Sequence, residues 1–174
     1  MSQEPHISHR ALSPRTVLVS LVFLACVGCD QITKEVARGH LSAGESHSFL
    51  NDTFRLIYAE NPGAFLSLGD ALPDRARSVI FIGGAAILCL AALWAALRAR
   101  DLGRWEIVAL SLIASGGVGN VIDRMANDGR VTDFLNLGIG SLRTGIFNVA
   151  DMVLMAGVAL YFFGALRRSA ARAT

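Results

Sequence analysis

Residues 79–97 read Val-Ile-Phe-Ile-Gly-Gly-Ala-Ala-Ile-Leu-Cys-Leu-Ala-Ala-Leu-Trp-Ala-Ala-Leu, from Val79 to Leu97, and carry no charge. A helix needs about 20 apolar residues to cross a hydrocarbon core about 30 Å thick. The stretch meets that length, so it predicts a transmembrane helix and sets lipid as the solvent for the rest of the chain.

Working outward, similar runs occur over Trp105 to Ile122, Ile146 to Leu166 and Thr16 to Cys29, the last led in by Pro14 and Arg15. Taken alone, the first run resembles a signal peptide, and Gly28-Cys29 resembles a lipoprotein cleavage site. Cys26 and Val27 fit the small-residue pattern of such a site poorly, and three more spans follow, so it is read as a retained helix. Gly83, Gly84, Gly117 and Gly157 are small enough to let helices approach closely.

The chain has 174 residues, 53% apolar and only 17% charged, with a positive mean hydropathy, too apolar for a soluble domain and too short for several domains. The expected fold class is mainly α, integral membrane: four transmembrane helices with a small extracytoplasmic β-sheet region and an outer loop. Residues 1–12 are expected to be a disordered cytoplasmic tail, 13–168 a single membrane domain, and 169–174 a second cytoplasmic tail. Within the domain, residues about 41–70 read as β-like, with strands over Ser48 to Tyr58 and Ala64 to Leu68 about the turn Asn61-Pro62-Gly63.

Four spans put both termini on one side. Arg10 and Arg15, the short loop with Arg98, Arg100 and Arg104, and the tail with Arg167, Arg168 and Arg172 mark that side as cytoplasmic. The net charge of +2 is dispersed and gives no footprint for nucleic acid. Cys26, Cys29 and Cys89 lie in apolar runs and read as packing, and His6, His9, His40 and His47 form no ligand set, so neither a metal nor another cofactor is expected.

The informative polar residues gather at one depth. At about 1.5 Å per residue, Asp30 lies about 22 Å beyond Arg15, Asn120 about 24 Å beyond Arg104, and Asp151 about 24 Å from Arg167. A carboxylate at bilayer depth is costly and marks a functional site. Asp30 and Lys34 share a helix face, as an ion pair or in contact with substrate, and Lys34 can also snorkel to headgroups. Asn120, Asp123 and Arg124 share another face, with Asp123 read as a support. Asn148 and Asp151, three apart, project an amide and a carboxylate to one side. Asp133 lies in the connection between the last two spans, which must fold back to meet Asp151. Two adjacent carboxylates cannot both ionise comfortably, so one holds a proton while the other activates water. Ser67, Ser111 and Ser115 have no histidine or lysine partner at a suitable spacing, and Gly-Gly-Val-Gly-Asn lacks the lysine of a phosphate loop.

In these residues the chain resembles the lipoprotein signal peptidases, or signal peptidase II family. The motifs Asp30 to Lys34, Asn61-Pro62-Gly63-Ala64, Gly116 to Arg124, Val131 to Phe134 and Phe147 to Asp151 occur in the family's order. Phe65-Leu66 departs from it, where a small residue followed by phenylalanine is common. The resemblance implies an intramembrane aspartyl endopeptidase of the bacterial inner membrane, its active site toward the outer face. Its substrates would be diacylglyceryl-modified prolipoproteins, cut just before the lipidated cysteine. It implies that Asp133 and Asp151 are catalytic, that Asn61, Gly63, Asn120, Asp123, Arg124 and Asn148 shape the substrate site, and that Asp30 and Lys34 support it. Membrane lipids and globomycin-like inhibitors are the further partners expected, and the protein is expected to be a monomer. A proton or ion transporter is the main rival, but it needs polar groups through the whole depth, and the inner halves of the spans read as almost entirely apolar. A membrane scaffold leaves the shared depth of the acids unexplained.

Overall fold

The computed structural model describes residues 12–42, 44–62, 73, 76 and 79–173. The N-terminal tail before Leu12, Gly63, the expected strand at Ala64–Leu68 and the Phe65-Leu66 departure lie outside the described residues.

Helix α1 spans Pro14–His40. Ser13 caps it by accepting a hydrogen bond from the Thr16 N–H at 3.1 Å, and Pro14 takes the first helical position, where its missing N–H costs nothing. Strands β1, Ser46–Phe49, and β2, Phe54–Asn61, follow. A π-helical stretch at Val79–Gly83 runs into α2, Gly84–Arg98, so the apolar run from Val79 to Leu97 is one continuous rod. Helix α3 covers Arg104–Ala126, strands β3 and β4 cover Val131–Ile139 and Leu142–Arg143, and α4 covers Val149–Ala173. All four spans are long and apolar enough to cross a membrane. Helix α4 starts three residues later than the apolar run at Ile146, and it continues through residues read as a tail.

Helix α3 is the hub, touching the other three and packing most extensively on α4. Half of its most apolar stretch is buried within the protein, against 11–17% for the other spans, whose remaining surface faces lipid. A Cβ at Gly157 would lie 2.8 Å from the Ala109 carbonyl oxygen, so only glycine permits this approach of α4 to α3. Gly117 is likewise tight, against Cys89. A Cβ at Gly83 or Gly84 would meet nothing within 4 Å among the described residues, so the close approach expected there is not seen among them.

Charged side chains tie the helix ends opposite the sheet. The Arg15 guanidinium donates to the carbonyls of Ala95, Ala96 and Ala99 at 3.1, 2.6 and 2.8 Å, satisfying groups that the end of α2 leaves open. Glu106 accepts from the Gly103 N–H at 2.6 Å and pairs with Arg168 at 2.5 Å, joining the start of α3 to the end of α4. The inner halves are therefore not wholly apolar: Glu106 is buried there, neutralised by its partner.

The sheet is antiparallel throughout, in the order β1-β2-β3-β4. Its make-up corrects the sequence reading in two ways. Ser48 to Tyr58 is not one strand but folds into a hairpin through Leu50, Asn51 and Asp52, with φ of 52°, 51° and 66°. Asp52 holds that turn by accepting from Ser48 Oγ at 2.7 Å and Arg55 Nε at 2.6 Å. The connection after α3 is also a full strand, β3, and it carries Asp133.

A bulge then sets which way Asn61 points. Leu56 faces Leu135, but Ala59 faces Asp133, so β2 spends one more residue than β3 between the two pairs. Successive strand residues alternate faces, and without the extra residue Leu56 and Asn61 would point to opposite sides. With it, Asn61 lies on the Asp133 face.

Candidate active site

Asp133 is 3% exposed. The chain after β4 returns beside it, because the N–H groups of Phe134 and Leu135 donate to the Phe147 carbonyl at 3.0 and 2.8 Å and the Phe147 N–H donates to Leu135 O at 2.9 Å. That pairing, absent from the sequence reading, delivers Asn148 to Asp133 and starts α4 at once. Asn148 caps α4 and Asp151 reaches back: the Asp151 N–H donates to Asn148 Oδ1 at 3.0 Å, and the Asn148 N–H donates to Asp151 Oδ2 at 3.1 Å. This is a capping box closed by a carboxylate.

Asn148 also joins the two acids. Its Nδ2 donates to Asp133 Oδ1 at 2.7 Å and to Asn120 Oδ1 at 3.0 Å. Asn120 Nδ2 in turn donates to Asp151 Oδ1 at 2.8 Å, and Asn61 Nδ2 donates to Asp133 Oδ2 at 3.0 Å. All four carboxylate oxygens thus have a donor. Burial pushes the Asp133 carboxyl up to about 6; the Asn61 hydrogen bond works against this, and the nearby Asp151 adds to it.

The two acids open on a cleft of about 630 Å³ lined also by Arg124, Phe147, Leu154 and Met155. Arg124 donates to the Asn120 carbonyl at 3.3 Å, while its buried Nε has no hydrogen-bond partner among the described residues. The cleft combines two carboxyl groups, a cation and apolar walls, and Met155 in one wall lies on a lipid-crossing helix.

Behind the cleft lies a buried ionic cluster. Lys34 is not at the headgroups as a snorkelling side chain would be: it is fully buried, with Nζ 2.9 Å from Asp30, 3.3 Å from Asp123 and 3.0 Å from Asn120 Oδ1. Its three donors therefore meet acceptors on two helices. Asp30 accepts from the Ala150 N–H at 2.8 Å, giving α4 a second cap from α1. Asp123 accepts from the Thr132 N–H at 2.9 Å and from Arg38 at 3.3 Å, tying α3 to the strand that carries Asp133.

The sequence motifs therefore converge, with one split: Asp123 turns to α1, while Arg124, its neighbour, lines the cleft. Arg38 was missed, although it follows Asp30 and Lys34 on the same helix face at another step of four. Gln31 was missed too; it bridges Asp30 and the Gly119 carbonyl at 3.1 and 3.2 Å. Leu154, one turn beyond Asp151, carried only an apolar signal common to the whole span.

Comparison with known proteins agrees with this architecture. Residues 22–167 match the family described as signal peptidase (SPase) II. The chain is 33% identical over 150 residues to a lipoprotein signal peptidase of Borreliella burgdorferi (strain ZS7), covering 83% of this chain and 84% of that one. It is 36% identical over 141 residues to that of Solibacter usitatus (strain Ellin6076), covering 79% and 84%. A solved bacterial membrane enzyme structure is similar with a TM-score of 0.74 at 26% identity, over 87% of this chain and 88% of that chain. With residues 22–167 matched by the family and relatives 33% and 36% identical over most of both chains, this multi-pass bacterial membrane protein belongs to the signal peptidase II family of proteases.

Proposed function

We propose that this protease removes the signal peptide from diacylglyceryl-modified prolipoproteins, cutting just before the lipidated cysteine, and that Asp133 and Asp151 are its reacting acids. The observation that carries the chemistry is Asn148, whose side-chain amide and backbone N–H hold Asp133 and Asp151 in one cleft at 2.7 and 3.1 Å. Asp133 holds the shared proton, in keeping with its burial, and Asp151 acts as the base. Asp151 takes a proton from a water molecule as the oxygen attacks the scissile carbonyl carbon, and Asp133 gives its proton to the developing oxyanion. The C–N bond then breaks, Asp151 passes its proton to the leaving amine, and Asp133 recovers its own as the new carboxyl forms. Arg124 supplies positive charge beside the substrate main chain. Asn61, Asn120 and Asn148 orient the acids, Asp30, Lys34 and Asp123 brace them, and the family resemblance gives Gly63 a part in shaping the substrate site.

The arginines gathered with Arg15, Arg98, Arg104 and Arg168 at the far helix ends support cytoplasmic termini and a cleft toward the outer face. A signal helix then enters the cleft from the bilayer while the diacylglyceryl chains stay in lipid. Globomycin-like peptides would occupy the same cleft, and a single copy holds every residue the mechanism uses.

The test is cleavage of a diacylglyceryl-modified precursor by purified protein. Asp133→Asn and Asp151→Asn should each lower turnover by about 10²–10⁴-fold, the usual worth of general acid–base catalysis. Unimpaired cleavage by either variant refutes the assignment.

A further inference from the structure

The sheet is built inside out. Reading faces from the registers, Phe49, Phe54, Leu56, Leu137, Ile139 and Leu142 share one face with His47 at its β1 edge, and this is the face that carries Asp133 and Asn61. Ser46, Ser48, Arg55, Asn136 and Arg143, together with Ile57, occupy the opposite face. In a sheet washed by water on one side, the apolar face is the covered one. Here Asn136 on the polar face is only 5% exposed, while Ile139 and Leu142 on the apolar face are 80% and 82% exposed, and Phe49 is 48% exposed.

The polar face is largely hydrogen-bonded within the protein, although the buried Arg143 Nη2 has no hydrogen-bond partner among the described residues. Arg143 Nε donates to Asn136 Oδ1 at 2.6 Å, Asn136 Nδ2 donates to the Thr144 carbonyl at 2.7 Å, and Arg143 Nη1 donates to the Asp52 carbonyl at 2.7 Å. Along β3 the apolar face is graded: Asp133 is buried, Leu135 half-buried, and Leu137 and Ile139 exposed. The bare end therefore lies at the two hairpin tips, and the covered end lies in the cleft. There the face meets Leu154 and Met155 of α4, whose surface is part of the lipid-facing wall of the spans.

We propose that this apolar face is seated in the bilayer, so that the sheet lies in the lipid interface with Phe49, Leu137, Ile139 and Leu142 among acyl chains. Two arguments select lipid over a partner protein. The face is continuous, through the cleft, with the lipid-facing surface of α4, so one bilayer covers both. The strands are also linked directly to the helix ends at that level, at His40, Ala126 and Val149. The seat makes the sheet a ramp, apolar from hairpin tips to Asp133, along which acyl chains approach the cleft without leaving lipid. This last consequence rests on the proposed substrate; the seating itself does not.

The experiment uses the full chain in nanodiscs whose phospholipids carry a diazirine in the acyl chain, with adducts mapped by mass spectrometry after irradiation. Adducts are expected on Phe49, Leu137, Ile139 and Leu142 at a yield within a few-fold of that on the exposed residues of α2, and none on Arg55 or Asn136. Adducts confined to the four helices overturn the proposal, as does cross-linking of these residues to a second copy or to residues 63–78 in place of lipid. A second measurement reads function. Ile139→Asp with Leu142→Asp should raise KM at least threefold for a bilayer-embedded precursor, leaving kcat unchanged and KM in detergent micelles unaltered. An unchanged KM in bilayers counts against the ramp. Because the lipid adducts form without catalysis, they separate failure of the seating from failure of the peptidase assignment.

Discussion

Replacing Asp133 by Asn should make the protein inactive yet relatively more stable as the pH rises. Burial raises the Asp133 carboxyl from an ordinary 3.8 to about 6, and by linkage that difference is worth about 3 kcal/mol. The raised value means that the folded protein binds this proton more tightly than the unfolded chain. The associated stability is fully present below about pH 4 and is lost as pH rises through about 6. Asn cannot titrate, so the variant lacks this loss, and any cost of fitting its amide between Asn61 and Asn148 is the same at every pH. The difference in unfolding free energy should move by about 2 kcal/mol in favour of Asp133→Asn between pH 4 and pH 7. Reversible unfolding in mixed micelles, followed for both proteins across this range, measures it. Parallel pH profiles, within about 1 kcal/mol, would refute the reasoning that burial governs this carboxyl.

Three other substitutions test neighbouring parts of the structure. Lys34→Met leaves Asp30 and Asp123 as buried carboxylates without their shared cation and should cost about 3–5 kcal/mol of stability in the same unfolding assay; a loss below 1 kcal/mol would mean that Lys34 is solvated. Asn61→Ala removes a hydrogen bond that lowers the Asp133 pKa, so the alkaline limb of kcat/KM should move to higher pH, and a limb that stays in place or moves down contradicts the proton assignment. Single cysteines at Asp101 and Ser46 should be reached by an impermeant thiol reagent only from the cytoplasmic and only from the outer side, respectively; the reverse pattern would put the cleft on the wrong face for exported substrates.

The helices were legible because a membrane span has one requirement, about 20 apolar residues, that the sequence displays directly. Asn148 and Asp151 were legible for a similar reason: three residues apart at a helix start, they meet whatever surrounds them. Strand β3 was readable in principle, since Leu135, Asn136, Leu137, Gly138 and Ile139 alternate with period two, but two polar residues in succession at Thr132 and Asp133 mask the pattern. The bulge in β2 leaves no mark in composition, although it decides where Asn61 points. The direction of Lys34 was equally hidden. A lysine near a helix end can reach headgroups or fold inward, and what decides is the presence of three acceptors, two of them on α3, 86 and 89 residues away in sequence.

That lysine also bears on which aspartate carries the proton. An ammonium only donates, so Lys34 fixes Asn120 Oδ1 as an acceptor and turns Asn120 Nδ2 toward Asp151 Oδ1. The other oxygen of Asp151 faces a backbone N–H, which cannot reverse. Asn148 is held in the same way, because its Oδ1 accepts the Asp151 N–H, so its Nδ2 must donate to Asp133 Oδ1. Three of the four carboxylate oxygens therefore face donors of fixed sense. The fourth, Asp133 Oδ2, accepts from Nδ2 of the Asn61 side-chain amide at 3.0 Å. Both oxygens of Asp151 accept from donors of fixed sense, the arrangement expected of the proposed base. This arrangement and the burial of Asp133 support the proposal that Asp133 is the acid and Asp151 the base.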